Sequence, residues 1–238
     1  MIEEYTPFAG TDEEGNQFFI SRYGYNTAVG STSVPITQNG VYRTPQASAA
    51  TTLRIKAGGN ANDTAAGSGA QEVTIVGLNS VGALISDKVS TNGASASSAT
   101  TKQFIRVWRC YVSKSGTYAS NGTLSQAGVI TIENGVGGTD WAQIGASGSL
   151  FANAEIGCFT VPLGYTARIL RFGFASDSTK ITNIDMMRRG SILQTSTPYS
   201  PFIRVFGVFG TNGSGSRDLS KVPFVIPELT DIFCRCIM

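Results

Sequence analysis

Histidine is absent from this 238-residue chain. That removes the side chain used most often as general base and metal ligand near neutral pH. Ser-His-Asp and Cys-His nucleophilic catalysis are thereby excluded. Paired carboxylates are the acid–base chemistry left open, as in glycosidases. The acidic residues do not fall into pairs by spacing. Glu3, Glu4, Asp12, Glu13 and Glu14 crowd the N-terminal end, while Asp63, Glu72, Asp87, Glu133, Asp140, Glu155, Asp177 and Asp185 stand singly. Asn60, Asn62 and Asp63 offer oxygens suited to calcium, but the spacing and closing Glu of an EF-hand loop are missing. Asx residues in such a turn more often bond their own backbone. The Gly-rich run from Gly58 to Gly69 lacks the Gly-Lys-Ser/Thr ending of a phosphate loop. These residues predict a protein that is not an enzyme and holds no cofactor or metal.

Four cysteines stand at 110, 158, 234 and 236. On an extended run Cys234 and Cys236 share a face with Cα atoms roughly 6.5–7 Å apart, at or beyond the limit for a disulfide. Their C-x-C spacing is not a zinc knuckle, and no His completes one. The reading is small, buried apolar thiols, with disulfides between subunits and a metal as the alternatives.

The elements that carry these residues read as strands. In the strand read at 51–57, Leu53, Ile55 and Ala57 alternate with Arg54 and Lys56; 71–78 and 83–91 repeat this period of two, the mark of a half-buried strand. Asn79-Ser80-Val81-Gly82 has the length and residues of a hairpin connection. Further strands are predicted at 103–113 and 128–134. The first is apolar on both faces (Phe104, Trp108 and Cys110; Ile105, Val107 and Tyr111), which places it centrally in a sheet. Arg106 and Arg109 interrupt its faces, as residues at a strand end or paired with a carboxylate do. After a Gly-rich segment at 135–157 the strand grammar resumes at 155–162, 166–176, 180–189, 201–210, 223–227 and 230–238. No helical period is sustained; 180–193 is the nearest to one. Pro35 and Pro45 permit edge strands at most. The apolar ending Ile232–Met238 must be paired, internally or against another chain.

Charged residues make up 14% of the chain, against a usual ~25%. A turn-rich β-protein gives this profile, and so does a surface covered by neighbours, because charge is depleted at interface cores. The net charge is +2 with Lys and Arg scattered, so a nucleic-acid partner is not expected. No run reaches the ~18 apolar residues of a membrane helix, and the acidic first fifteen residues do not read as a secretory signal. Asn-x-Ser/Thr matches at Asn62, Asn121 and Asn212 read as by-products of polar loops.

The box Asn62-Asp63-Thr64-Ala65-Ala66-Gly67-Ser68-Gly69-Ala70, the strand ending Gly77-Leu78, the turn Asn92-Gly93 and the strand Phe104–Arg109 form a pattern. With Tyr25–Gly30, Phe159–Pro162 and Pro227–Ile232, it resembles a family of structural proteins encoded by tailed bacteriophages, especially those of marine and cyanobacterial hosts. The resemblance implies a virion component and carries over no catalytic residue.

The expectation is therefore all-β: one or two β-sandwich or jelly-roll-like domains with an extended N-terminal arm. The predicted divisions are an arm and loop region at 1–50, a β-sandwich at 51–135 and a second β-sandwich or jelly-roll-like domain at 136–238. The expected role is a structural component of a tailed-phage virion. Specifically, it is a capsid decoration or cement protein that stabilises the shell by burial between subunits, made in the bacterial host cytoplasm. A tail, neck or baseplate protein and a carbohydrate-binding receptor-recognition module are the alternatives. Expected partners are further copies of itself, as a homotrimer or other homo-oligomer, and the major capsid protein or tail components; no membrane is expected. Interface candidates are the aromatics Tyr5, Phe8, Phe18, Phe19 and Tyr23, with Trp141, Phe233 and Ile237.

Overall fold

The computed structural model describes residues 22–42, 50–118, 125–135, 138–145, 152–177, 179–194 and 196–238. Strands and isolated bridges account for 46% of the described residues, and no α-helix is present among them, so the all-β expectation holds. In chain order the strands are β1 (Val34–Pro35), β2 (Arg54–Ile55), β3 (Ala70–Leu78), β4 (Leu84–Ser90), β5 (Arg106–Ser115), β6 (Ile130–Glu133), β7 (Asp140–Ile144) and β8 (Cys158–Thr160). There follow β9 (Ala167–Ile169), β10 (Arg171–Ala175), β11 (Thr182–Arg189), β12 (Ile203–Thr211), β13 (Ser214–Asp218), β14 (Phe224–Ile226) and β15 (Asp231–Ile237). They pair antiparallel into five sheets: β4-β3-β5, β2-β6-β7, β1-β15-β11-β12 with β8 also on β15, and the pairs β10-β13 and β14-β9.

The β3–β4 hairpin forms as its turn residues require. Asn79 Oδ1 accepts from the Val81 and Ala83 amides, and Gly82 takes φ +80°, which favours glycine. Gly77 matters for a different reason. A Cβ there would sit 1.9 Å from the Arg106 carbonyl oxygen, so only glycine lets β3 close on β5 at its register shift.

Strand β5 lies at the end of its sheet rather than at the centre, where the sequence placed it. The central strand is β3. The free side of β5 is closed by a short extended segment: the Val112 amide donates to the Ala152 carbonyl at 2.8 Å and the Ala154 amide to the Cys110 carbonyl at 2.9 Å. Its two apolar faces are both used. Phe104, Val107 and Cys110 belong to one core, with Leu53, Ile75, Ile132 and Trp141. Ile105 and Trp108 belong to a second, with Leu78 and Ile192.

Strand β15 divides space in the same way. Phe233 enters the first core, while Ile232 and Cys236 enter a third with Ile184, Met186 and Ile226. The apolar C-terminal run is thus paired internally, by β1, β8 and β11. Pro35 sits on the edge strand of that sheet, as its missing N–H demands.

Three sequence expectations change. The boundary placed between 135 and 136 falls inside one sheet, because β7 pairs β6 and its Trp141, Ala142 and Ile144 complete the first core. The run 166–176 is two strands broken at Leu170, each in its own two-stranded ladder. The residues 180–193 with helical leanings give β11 instead, whose Ile184 and Met186 alternate into the third core. Of the expected N-terminal arm, residues 22–42 lie on the body: Val34 and Pro35 pair β15 and Tyr42 enters the first core. Residues 1–21 lie outside the described residues.

Candidate functional site

The most concentrated polar chemistry is buried at the join between the chain's two halves. Arg106 opens β5 and Asp231 opens β15. Arg106 Nε donates to Asp231 Oδ1 at 3.0 Å and Nη2 to Oδ2 at 3.2 Å, while Nη1 donates to the Ile105 carbonyl at 2.7 Å. The Thr160 hydroxyl of β8 donates to Asp231 Oδ1 at 2.6 Å. Both ionic side chains are buried, so each depends on the other to offset its desolvation. The Tyr42 hydroxyl nearby is pushed well above its ordinary pKa, first by burial and then by Cys158 and Asp231. This arrangement fixes strands to one another. Its oxygens are committed to partners inside the fold, and no cleft-facing acid and base result.

The other carboxylates are committed too. Asp63, inside the Asn-Asp-Thr box, is buried. Its Oδ1 accepts from the amides of Ala70 at 2.7 Å and Ala127 at 2.8 Å, and Oδ2 from Gly128 at 2.9 Å. One carboxylate thereby pins the Gly-rich loop to the chain before β6, and Asn60 Oδ1 accepts from the Asn62 amide. Of the oxygens the sequence offered to calcium, those of Asn60 and Asp63 are held by backbone donors.

Glu133 and Asp140, which stand singly in the sequence, are cross-strand partners on β6 and β7. Arg54 bonds Glu133 at 2.8 Å and Lys56 bonds Asp140 at 2.9 Å, so the row is a neutral ladder of charges. Glu72 is shared between Lys88 and Lys114 and accepts from the Ser113 hydroxyl. Burial alone would raise its pKa, but that hydroxyl and the two cations hold it below the usual range. Asp87 is likewise opposed by desolvation yet held low by the Lys102, Lys88 and Thr101 donors.

All four cysteines are free thiols. Burial pushes Cys110 and Cys234 up to about 12 and Cys236 to about 11, and raises Cys158 further from its ordinary value. Such thiols are protonated and unreactive at neutral pH.

The interface candidates separate sharply. Trp141 and Phe233 are 2% and 3% exposed and sit inside the first core, where they line no surface of the single chain. Their size drew attention to them, but their alternating neighbours fill that core. Ile237 is half-buried on β15, and Tyr23 is 66% exposed. Tyr5, Phe8, Phe18 and Phe19 lie outside the described residues.

The exposed apolar surface lies instead on elements the sequence read only as strands. Phe209 on β12 is 60% exposed and Ile203 50%. Ile181, Val222 and Val225 are exposed as well. β12 ends its sheet among the described residues, and its outward face is built around Gly207. A Cβ there would touch the Phe209 ring at 3.0 Å. The Arg204 guanidinium lies over that ring, 5.2 Å from its centroid, and pairs with Asp185 at 2.8 Å. The signal that could have found this patch was the FGVFG run, whose glycines cannot fill a core and whose phenylalanines alternate on no single face. No protein-family model matches this chain, and no curated protein and no solved structure matches it.

Proposed function

We propose that this protein is a structural component of a tailed-bacteriophage virion, acting as a capsid decoration or cement protein that works by burying surface between subunits. One observation carries the reading. The carboxylates described above are engaged by backbone amides or basic side chains, while large apolar side chains on β12, β14 and their loops remain exposed. Side chains spent internally favour a structural role over chemistry, and an exposed apolar surface of this kind marks association. The low charge content agrees with it. The resemblance of the Asn62–Ala70 and Phe104–Arg109 boxes to phage structural proteins supplies the setting. The sugar-binding alternative draws less support, since Trp108 and Trp141 are both buried and offer no platform for a sugar ring.

The test is a copy-number measurement on purified particles of the phage that encodes the chain, by quantitative mass spectrometry against the major capsid protein. Hundreds of copies per particle fit a decoration protein. Tens would shift the role to tail or neck, and absence from particles would end the proposal.

A further inference from the structure

We infer that the outer side of β12 is the acceptor for the N-terminal segment, residues 1–21, of a second copy of this chain. The inference rests on the reading of the protein as a self-associating building block and names the two surfaces that meet. The acceptor has apolar and basic character together. Ile203 and Phe209 are exposed on the strand; Arg204 lies over Phe209 on one face of it, and Arg217 of β13 lies over Phe206 on the other, the face toward the third core, with its charge 5.4 Å from the ring centroid. Arg217 has no ion-pair partner among the described residues, and the one partner of Arg204, Asp185, is itself on the neighbouring strand. A terminal strand with exposed apolar side chains is a template for a further chain segment.

The occupant is chosen by charge and reach. Residues 1–21 hold five of the sixteen acidic residues and none of the eighteen basic ones. The remainder of the chain is left with eleven acidic against eighteen basic residues, a surplus of seven positive charges. The same segment carries Tyr5 and Phe8 between its acids and Phe18 and Phe19 after them, the apolar complement to Ile203 and Phe209. Its root is fixed: the Arg22 guanidinium stacks 5.7 Å from the Trp108 ring centroid and 5.3 Å from that of Phe159. From that anchor twenty-one residues span on the order of 70 Å when extended. That exceeds the ~17 Å radius of gyration expected for the rest of the chain, so a neighbouring copy lies within reach. Opposite charges bring the segment to the strand, and the aromatic contacts hold it.

Two full-length variants test this. One reverses the segment (Asp12→Lys with Glu13→Lys and Glu14→Lys, which takes its side-chain charge from −5 to +1) and the other reverses the acceptor (Arg204→Glu with Arg217→Glu). Molar mass is read by light scattering for wild type, each variant alone, and an equimolar mixture. The expected result is an oligomer for wild type, at least a tenfold weaker self-association for each variant, and recovery of the oligomer in the mixture, where both contacts are again complementary. Recovery also shows that both variants are folded. If the acceptor variant fails to fold, Arg204→Gln with Arg217→Gln replaces it and must weaken association at least fivefold. Wild-type mass in either single variant, no recovery in the mixture of folded variants, or a wild-type monomer would overturn the inference. The copy number in virions is read independently, so failure here leaves the virion role standing.

Discussion

The two halves of the chain use the same strand grammar to opposite ends. Among the described residues, ten of the twelve largest fully buried side chains lie before residue 150, among them Leu53, Ile75, Phe104, Trp108 and Trp141. Nine of the fourteen exposed large apolar residues among the described residues lie after it, among them Ile181, Ile203, Phe209, Val222 and Val225. The described part of the first half buries most of its large apolar side chains within the chain. The second leaves more of them in contact with solvent. Burial of such side chains is worth about 1.5–3 kcal/mol each when complete, so the second half retains a sizeable driving force for association. Between the halves stands one buried ion pair, Arg106 with Asp231, that makes the end of the chain part of the first core's frame.

Breaking that join has the largest expected effect. Arg106→Ala leaves a buried, unpaired carboxylate and should cost about 3–5 kcal/mol, read as a lower urea midpoint. Replacing both partners (Arg106→Met with Asp231→Leu) should cost far less, because no lone charge remains. Equal losses in the two variants would show that packing, not charge, sets the cost. Next comes Asp63→Ala, which orphans three amides and should cost about 3 kcal/mol at roughly 1–3 kcal/mol per buried unmet group. Amide exchange should then quicken at Ala70, Ala127 and Gly128 before it does elsewhere.

The comparison between the halves sharpens in the opposite kind of variant. Phe209→Ser should change the stability of the isolated chain by no more than about 0.5 kcal/mol, as exposed positions do, while weakening self-association. A stability loss like that of a core residue would mean that the second half is as self-sufficient as the first. Thiol reactivity makes the same contrast chemically. With pKa values near 12 and burial around them, Cys110 and Cys234 should resist alkylation at pH 8 until denaturant is added.

The smallest effect is in acid. Glu72 and Asp87 are held below their ordinary pKa in the folded chain. Their stabilisation is therefore present above the unfolded carboxylate value, near 4, and is lost as pH falls through the folded one. Asp87→Asn should lower stability slightly in the neutral region, where that contribution is present, and so flatten the acid limb of the stability profile.

Much of this contrast could be read from residue order. The period of two at 51–57, 71–78 and 83–91 announced β2, β3 and β4, although only β4 has a wet face along its length; β3, the central strand, is buried on both sides. The double-sided run at 103–113 announced burial on both sides, but not its place at the end of a sheet. The segment 152–154 that closes β5 has no pattern of its own, and local sequence does not encode which segment covers an edge. The Arg106–Asp231 pair was foreseeable only as a carboxylate somewhere. Its partner is 125 residues away, and charge pairing at that separation leaves no spacing to read. Strand β13, Ser214–Asp218, was invisible because Gly and Ser carry no apolar alternation; its pairing with β10 comes from the backbone alone. The exposed patch on β12 was read as another half-buried strand, since a sequence shows which residues are apolar and not which sheet face lacks a cover.

Hydroxyl-radical footprinting of side chains, on dilute isolated protein and on the assembled form, tests the central claim most directly. The account predicts that Ile203, Phe209, Val222 and Val225 label readily in isolation and are protected several-fold on assembly, while Trp108, Trp141 and Phe104 are protected in both. Equal labelling of Phe209 and Val225 in the two states would contradict it, because the second half would then be exposed for some purpose other than joining a neighbour.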